Sequence, residues 1–329
     1  MRRREFVTLL GSAVVASPRI ARAQQPERMR RIGWLEIGQS DNRAAQLRTA
    51  VVREDLEKLG WVVGRNLQID YRWGIASPEA AQRFGAELLS LSPDVIFCTG
   101  SPATKALQQA TSTVPIVFVF VAEPVEQGFV QSLAHPGGNI TGFAYLERTI
   151  GAKWLALLTE VAPQIRRVVY IFSPNAAPYA RFYYEAAQAA GEKVGVQVGI
   201  SPVAATADFE PALAHLGANA GAIFNPDAVV DNNANLAIDL TARYRVPAIY
   251  GGGGVSAGDG CLITYKLDQV AHFHEVAPYL DRILRGEKPA ELPVQQPTKF
   301  QYGINLKTAK ALGLAVPLAV QMTADEVVE

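Results

Sequence analysis

Cysteine is nearly absent: the 329 residues hold two, Cys98 and Cys261. A pair 163 positions apart makes no disulfide scaffold and lacks the close spacing of a zinc site, so both read as small buried core residues. Histidine is scarce too, with four in the chain. His135 precedes the turn sequence Pro136-Gly137-Gly138, and His272 and His274 lie two apart, facing different ways on a helix and unable to share a metal. No Gly-x-Ser-x-Gly elbow or His-Glu-x-x-His pair occurs. The expectation is a non-enzyme with no catalytic residue, no metal and no cofactor. No apolar run beyond the N-terminus reaches 18 residues, which excludes a spanning helix there. An excess of one charge is missing as well: 31 basic residues balance 31 acidic ones with no basic block, which argues against nucleic acid as a partner. What is present is 49% hydrophobic and 19% charged, in a chain long enough for two domains with their own cores.

The first 23 residues read as an address. Arg3-Arg4-Glu5-Phe6 resembles a twin-arginine export signal, and a short, mildly apolar stretch follows over residues 7–16. Ala21 and Ala23 are the small residues a signal peptidase needs, so cleavage is expected after Ala23. No cysteine follows, so no lipid anchor is expected. The segment carries five arginines and one glutamate; without it 26 basic residues face 30 acidic ones, a mildly acidic exported product.

After residue 30, short apolar runs alternate with longer amphipathic segments, the pattern of parallel sheets covered by helices. Residues 31–36, 67–71, 94–98 and 115–121 read as strands, with helices over 43–58, 78–91 and 102–110. The second half repeats this order, with strands over 166–172, 196–201, 222–225 and 247–250 and helices over 179–193, 208–216 and 232–244. Three landmarks pair across the halves. Arg30-Arg31-Ile32-Gly33-Trp34 matches Arg166-Arg167-Val168-Val169-Tyr170, Asp94-Val95-Ile96-Phe97 matches Gly221-Ala222-Ile223-Phe224, and Val114-Pro115-Ile116 matches Val246-Pro247-Ala248. The offsets are 136, 127 and 132 residues, so the architecture is read as duplicated. Two open α/β lobes with facing carboxyl edges enclose a cleft, and such pairs commonly hinge shut on a small ligand.

The ligand loops are therefore those just after each strand. The first holds Gln39 and Ser40. The next holds Thr99, Ser101 and Ala103, with Ser101 as N-cap and Pro102 as first helical residue. That helix start is either an ordinary cap or a seat for an anion. Glu123, after the fourth strand, either meets a ligand ammonium or hydroxyl or braces the hinge. In the second half the loops hold Asn175, then Asn225 with Asp227, then the glycines 251–254 including Gly252. Asp227 is either the partner of a ligand amine or a helix N-cap. The glycines lack the Lys-Ser/Thr of a phosphate loop; they either bring backbone to the ligand, leaving room for a bulky group, or make a turn. Tyr145, Tyr179, Tyr250 and Tyr265 lie near crossings or loops, where each either stacks on a flat ligand or simply packs.

These segments carry a family resemblance. The leader, Val114-Pro115-Ile116-Val117-Phe118, and Leu133-Ala134-His135-Pro136-Gly137-Gly138-Asn139-Ile140-Thr141-Gly142 are similar to ABC-transporter substrate-binding proteins of the type I periplasmic fold, in the branch that includes tryptophan-binding members. So is the tail Leu284-Arg285-Gly286-Glu287-Lys288-Pro289 through Phe300, then Ile304-Asn305-Leu306-Lys307 through Gly313. The resemblance implies two lobes joined by a three-crossing hinge. The first lobe would take residues 30–142 with 268–292, the second 146–264 with 303–325, with crossings near 142–146, 264–267 and 296–302. One helix over 268–285 would return to the first lobe and one over 306–312 to the second. The family's carboxylate-binding turn falls on Gly100-Ser101-Pro102-Ala103, and its Asp-Pro-Val loop reads Glu123-Pro124-Val125 here. The Asp-Asn pair of its amino-acid-binding members reads Asp227-Ala228.

The resulting expectation is a monomeric periplasmic solute-binding component of an ABC importer. It would close on a small organic ligand, such as an amino acid or aromatic acid, and dock on an inner-membrane permease. The alternatives are an extracytoplasmic sensor for a membrane receptor and an exported enzyme on the same fold.

Overall fold

The computed structural model describes residues 28–75, 77–252 and 254–329; the leader and its expected cleavage site lie outside the described residues. The first sheet contains β1 (Arg30–Glu36), β2 (Leu67–Trp73), β3 (Val95–Thr99), β4 (Ile116–Val121) and β5 (Ile140–Ala144). All are parallel, in the order β2-β1-β3-β4-β5. The second contains β6 (Arg167–Phe172), β7 (Gln197–Pro202), β8 (Ala220–Phe224), β9 (Ala248–Tyr250), β10 (Ile263–Leu267), β11 (Phe300–Asn305) and β12 (Glu326–Val328). Read from the other edge, its order is β7-β6-β8-β9-β10-β11-β12, so its first five places repeat the first sheet. The three landmark pairs fall on β1 and β6, β3 and β8, and β4 and β9. Among the described residues only the β10–β11 pair is antiparallel.

The helices are α1 (Arg43–Lys58), α2 (Pro78–Ser90), α3 (Ser101–Ala110), α4 (Ile150–Val161), α5 (Ala180–Val194), α6 (Phe209–Ala214), α7 (Ala228–Asn232), α8 (Ala234–Arg243), α9 (Gln269–His274), α10 (Val276–Leu284), α11 (Leu306–Leu312) and α12 (Leu318–Gln321). Strands such as β3 and β8 are buried at every residue because helices cover both faces, which explains why they read as unbroken apolar runs.

The chain passes between the lobes three times. After β5 it runs through Tyr145 and α4 to β6. After β10 it returns, and Phe273, Val276 and Leu280 of α9 and α10 enter the first lobe's core beside α1. Gln295 then pairs beside Phe143 before the chain joins β10 as β11. The expected single helix over 268–285 is divided at Glu275. Pro278 explains the break: it has no N–H for the carbonyl of His274, and its ring crowds that carbonyl.

β4 carries an irregularity beside this hinge. Its register with β5 shifts between Val119 and Val121, and Phe120 takes φ 61°, which a bulky side chain rarely adopts. Its ring meets Tyr145 and Phe273, each at 5.2 Å between centroids, and stacks on His272 at 6.1 Å.

Candidate functional site

The strand order places the site. In each sheet the connection reverses between the first and second strands of the repeat to the third: the switch point lies between β1 and β3, and between β6 and β8. Loops leaving those strands part there and open a crevice at the carboxyl edge. A cavity of about 310 Å³ lies between the lobes at this edge, lined by Gln82, Ser101 and Gln127 of the first and by Asn175, Ala176 and Tyr179 of the second. It is at the small end of the range for organic ligands.

On the first-lobe side most of the expected residues build the frame. Gln39 and Ser40 are exposed in the loop after β1; the Gln39 side chain lies against Gly74, and the Ser40 carbonyl accepts from Gln46. Thr99 is fully buried, and its Oγ1 accepts from the Ile37 N–H at 2.7 Å, tying that loop to β3. Ser101 is not the N-cap of α3. Gly100 holds that place at φ 82°, a left-handed conformation glycine adopts without strain, and Ser101 is the first helical residue. Its Oγ accepts from Gln127 Nε2 at 3.0 Å. Ala103 is buried beneath it in the first lobe's core. In the first turn of α3 the N–H groups of Ser101 and Ala103 precede the first intrahelical bond, and Ser101 and Pro102 line the cavity. Glu123 follows β4 at φ 44°, and the Arg148 backbone N–H bonds its carboxylate across the first crossing. Burial pushes that carboxyl up against the pull of Arg148.

On the second-lobe side Asp227 is an N-cap. Its Oδ1 accepts from the N–H groups of Val229 and Val230, and its Oδ2 accepts from the Ser173 N–H and Asn225 Nδ2, at 3.0–3.1 Å. Four bonds fill a carboxylate's acceptor capacity. Asn225 is equally committed, accepting from the Tyr170 hydroxyl at 2.8 Å while it donates to Asp227. Asn175 is exposed and lines the cavity opposite Ser101. Two of the glycines after β9 are closely faced by side chains: a Cβ on Gly251 would meet the Trp154 ring, and one on Gly252 would meet Asp231 Oδ1.

Asp231 is the residue the sequence reading missed. It stands four positions after Asp227 on α7, hence on the same face, and that spacing was the available signal. No hydrogen bond reaches its carboxylate among the described residues. Burial, with repulsion from Asp227 added and Lys266 opposing, pushes it up to about 7. The charges of Asp231 and Asp227 act on both Tyr145 and Tyr179. Tyr145 is 9% exposed, and its hydroxyl has no hydrogen-bond partner among the described residues. Tyr179 donates to the Pro226 carbonyl at 3.3 Å. Of the two, Tyr179 lines the cavity. Tyr250 stacks on Phe224 in the second lobe's core, and Tyr265 stacks on Phe300.

The first lobe answers with a buried ion pair that sequence reasoning also passed over. Arg48 Nη2 lies 2.9 Å from Glu36 Oε1 at the end of β1, and Arg48 Nη1 donates to Gln269 on α9 at 3.2 Å. The guanidinium sits 5.6 Å from the rings of Phe120 and Phe273, and its charge reaches Tyr145.

Known proteins share this fold. A tyrosine-binding protein of Clostridioides difficile (strain R20291) is 23% identical over 261 residues, 79% of this chain and 74% of the relative. An ABC domain from Streptococcus pneumonia in complex with L-Trp superposes with a TM-score of 0.80 at 20% identity, covering 91% of this chain and 99% of that one. A conserved domain protein from Vibrio cholerae does so with a TM-score of 0.81 at 24% identity, covering 91% and 100%. The family model described as ABC transporter substrate binding protein matches residues 42–328. Two duplicated α/β lobes, a cleft at their switch points and a match over nearly the whole chain lead to one conclusion: the chain belongs to the ABC transporter substrate-binding proteins.

Proposed function

We propose that this protein is the periplasmic solute receptor of an ABC importer, a binder and not an enzyme, which closes its lobes on a small organic ligand and presents it to an inner-membrane permease. One observation carries the reading: the cavity at the carboxyl edges is lined from both lobes, by Ser101 and Gln127 of the first and by Asn175 and Tyr179 of the second. A concave space between lobes with a few convergent polar groups is the usual place of a small ligand. Ser101 and the first-turn N–H groups of α3 supply donors for an anionic group from the first lobe. Asn175 faces them from the second lobe. Contact with both lobes makes a ligand favour the closed form.

The test is a thermal-shift screen of the chain from Gln24 onward against amino acids, aromatic acids, purines and vitamins. A ligand present at about 100 times its Kd stabilises by roughly 2.7 kcal/mol, which raises the transition by several degrees. A library in which no compound moves the transition removes the solute-binding reading.

A further inference from the structure

At the amino edge of the first sheet, away from the cleft, four arginines surround one concavity. Arg28 and Arg30 stand at the start of β1, Arg65 in the turn before β2 and Arg285 at the end of α10. The space measures about 460 Å³, and Leu59 and Trp61, just beyond α1, help to wall it. No carboxylate is among its lining residues. Two carboxylates answer the arginines from mostly buried positions. Asp94 takes both Arg30, at 2.7 Å, and Arg28, at 3.6 Å. Asp281 takes Arg285 at 2.6 Å and also accepts from the Trp61 indole N–H at 2.7 Å. Arg65 is exposed, and no hydrogen bond or ion pair reaches its side chain among the described residues. Four guanidinium charges thus meet two carboxylates, a surplus of two. Glu54 and Glu57 line a separate concavity, which shares Trp61 and holds Arg53 beside them.

Structural duties account for part of this cluster. Arg285 donates to the Leu59 carbonyl at 3.3 Å and closes the end of α1, and Arg30 ties β1 to Asp94 at the start of β3. Arg65 has no such duty, and Arg28 adds a second, longer contact to a carboxylate already taken. Like charges gathered round one concavity repel each other, and the field focused there draws a counter-ion.

We propose that this concavity is a second binding site, which takes the dianionic phosphoryl group of an organic phosphate monoester. Guanidinium forks match phosphate oxygens in pairs, and a surplus of two positive charges suits a dianion. The phosphoryl group fills only part of the space, and the rest, against Trp61 and Leu59, takes a small organic body. The site lies at the opposite edge of the sheet from the cleft, so it stands or falls apart from the solute-binding reading.

Trp61 reports on the site. Its indole N–H is one of four in the chain and is identified by its loss in Trp61→Phe. Phenyl phosphate, titrated at pH 7.5 and low salt, is expected to shift that NMR resonance with a Kd on the order of 1 mM or tighter. Benzenesulfonate has the same shape with one negative charge fewer and should bind several-fold more weakly. Arg65→Ala and Arg28→Ala change exposed side chains; each should weaken phenyl phosphate about fivefold and leave the thermal transition in place. Vesicles containing phosphatidate present the same group on a membrane. Flotation of the protein with them, lost in Arg65→Ala, would make a lipid the source of the phosphoryl group; titration without flotation would make it a free ester. A Trp61 resonance that phenyl phosphate leaves unmoved together with no flotation, binding indifferent to both arginine substitutions, or benzenesulfonate bound as tightly as phenyl phosphate overturns the proposal.

Discussion

His272 lies on α9 with its ring stacked on Phe120 and set edge-on to Phe143 at 5.8 Å. It is 3% exposed, hydrogen-bonded to the backbone at Ala144, and its Nε2 has no partner. Burial disfavours the imidazolium and pushes its pKa down to about 4. The sign of the effect on stability follows. The unfolded chain takes up the proton near 6.5 and the folded one only near 4. The unfolded state therefore binds more protons in that window, and stability is lost as pH falls from about 6.5 to about 4. The shift corresponds to about 3 kcal/mol. Asp231 runs the other way, because its raised carboxyl favours the folded state as pH falls below about 7. The difference between the wild type and His272→Phe cancels that contribution. Urea unfolding at pH 7.5 and pH 4 should show the wild type losing about 3 kcal/mol relative to the variant. Parallel pH profiles would mean that the ring is hydrated in solution.

At the scale of the element, α7 shows what one side chain can organise. Five residues make barely more than a turn, and such a helix does not persist by propensity alone. Asp227 caps it and in the same act pins the loops after β6 and β8 through Ser173 and Asn225. Asp227→Ala removes the cap, about 1 kcal/mol, and leaves the buried Ser173 N–H and Asn225 amide unsatisfied at about 1–3 kcal/mol each. A loss of about 3 kcal/mol in the unfolding of the ligand-free protein is expected; a loss under 1 kcal/mol would show that water replaces the carboxylate. This helix also marks where the sequence stopped being legible. β3 and β8 were readable because strands covered on both faces must be apolar throughout, and α1 because sixteen residues display a full period. α7 is too short to show a period, so the spacing of four from Asp227 was a weak sign of where Asp231 lies. The two carboxylates, Asp227 and Asp231, look alike in sequence. Which one is satisfied depends on hydrogen bonds from Ser173 and Asn225 and on the bare surface of Gly252, contacts between segments far apart in the chain. The pairing of Glu36 with Arg48 was hidden for the same reason.

At the scale of the whole molecule, two sheets with the same strand order face each other across three strands of chain, and Arg148 sits where the first of these leaves β5. Its guanidinium lies 2.6 Å from Glu126 Oε1 in the loop after β4 and 4.6 Å from the centre of the Phe182 ring on α5. It thus touches the first lobe with one face and the second with the other. Under the closure proposed above, both contacts belong to the closed form. The ion pair is about half exposed, 41% and 48% at its two side chains, so its worth is that of a surface pair, about 0–1 kcal/mol. The ring contact adds about 0.5–1 kcal/mol. Arg148→Ala should therefore cost the closed form about 1 kcal/mol, a shift of about fivefold toward open. Small-angle scattering of the ligand-free protein should show a larger radius of gyration than the wild type, and apparent ligand affinity should fall by up to about fivefold. Unchanged scattering and affinity would make Arg148 a surface ornament. The size of the affinity loss is also diagnostic. A residue acting through the lobe equilibrium can weaken binding only by the factor it shifts that equilibrium, so a far larger loss would place Arg148 on the ligand itself.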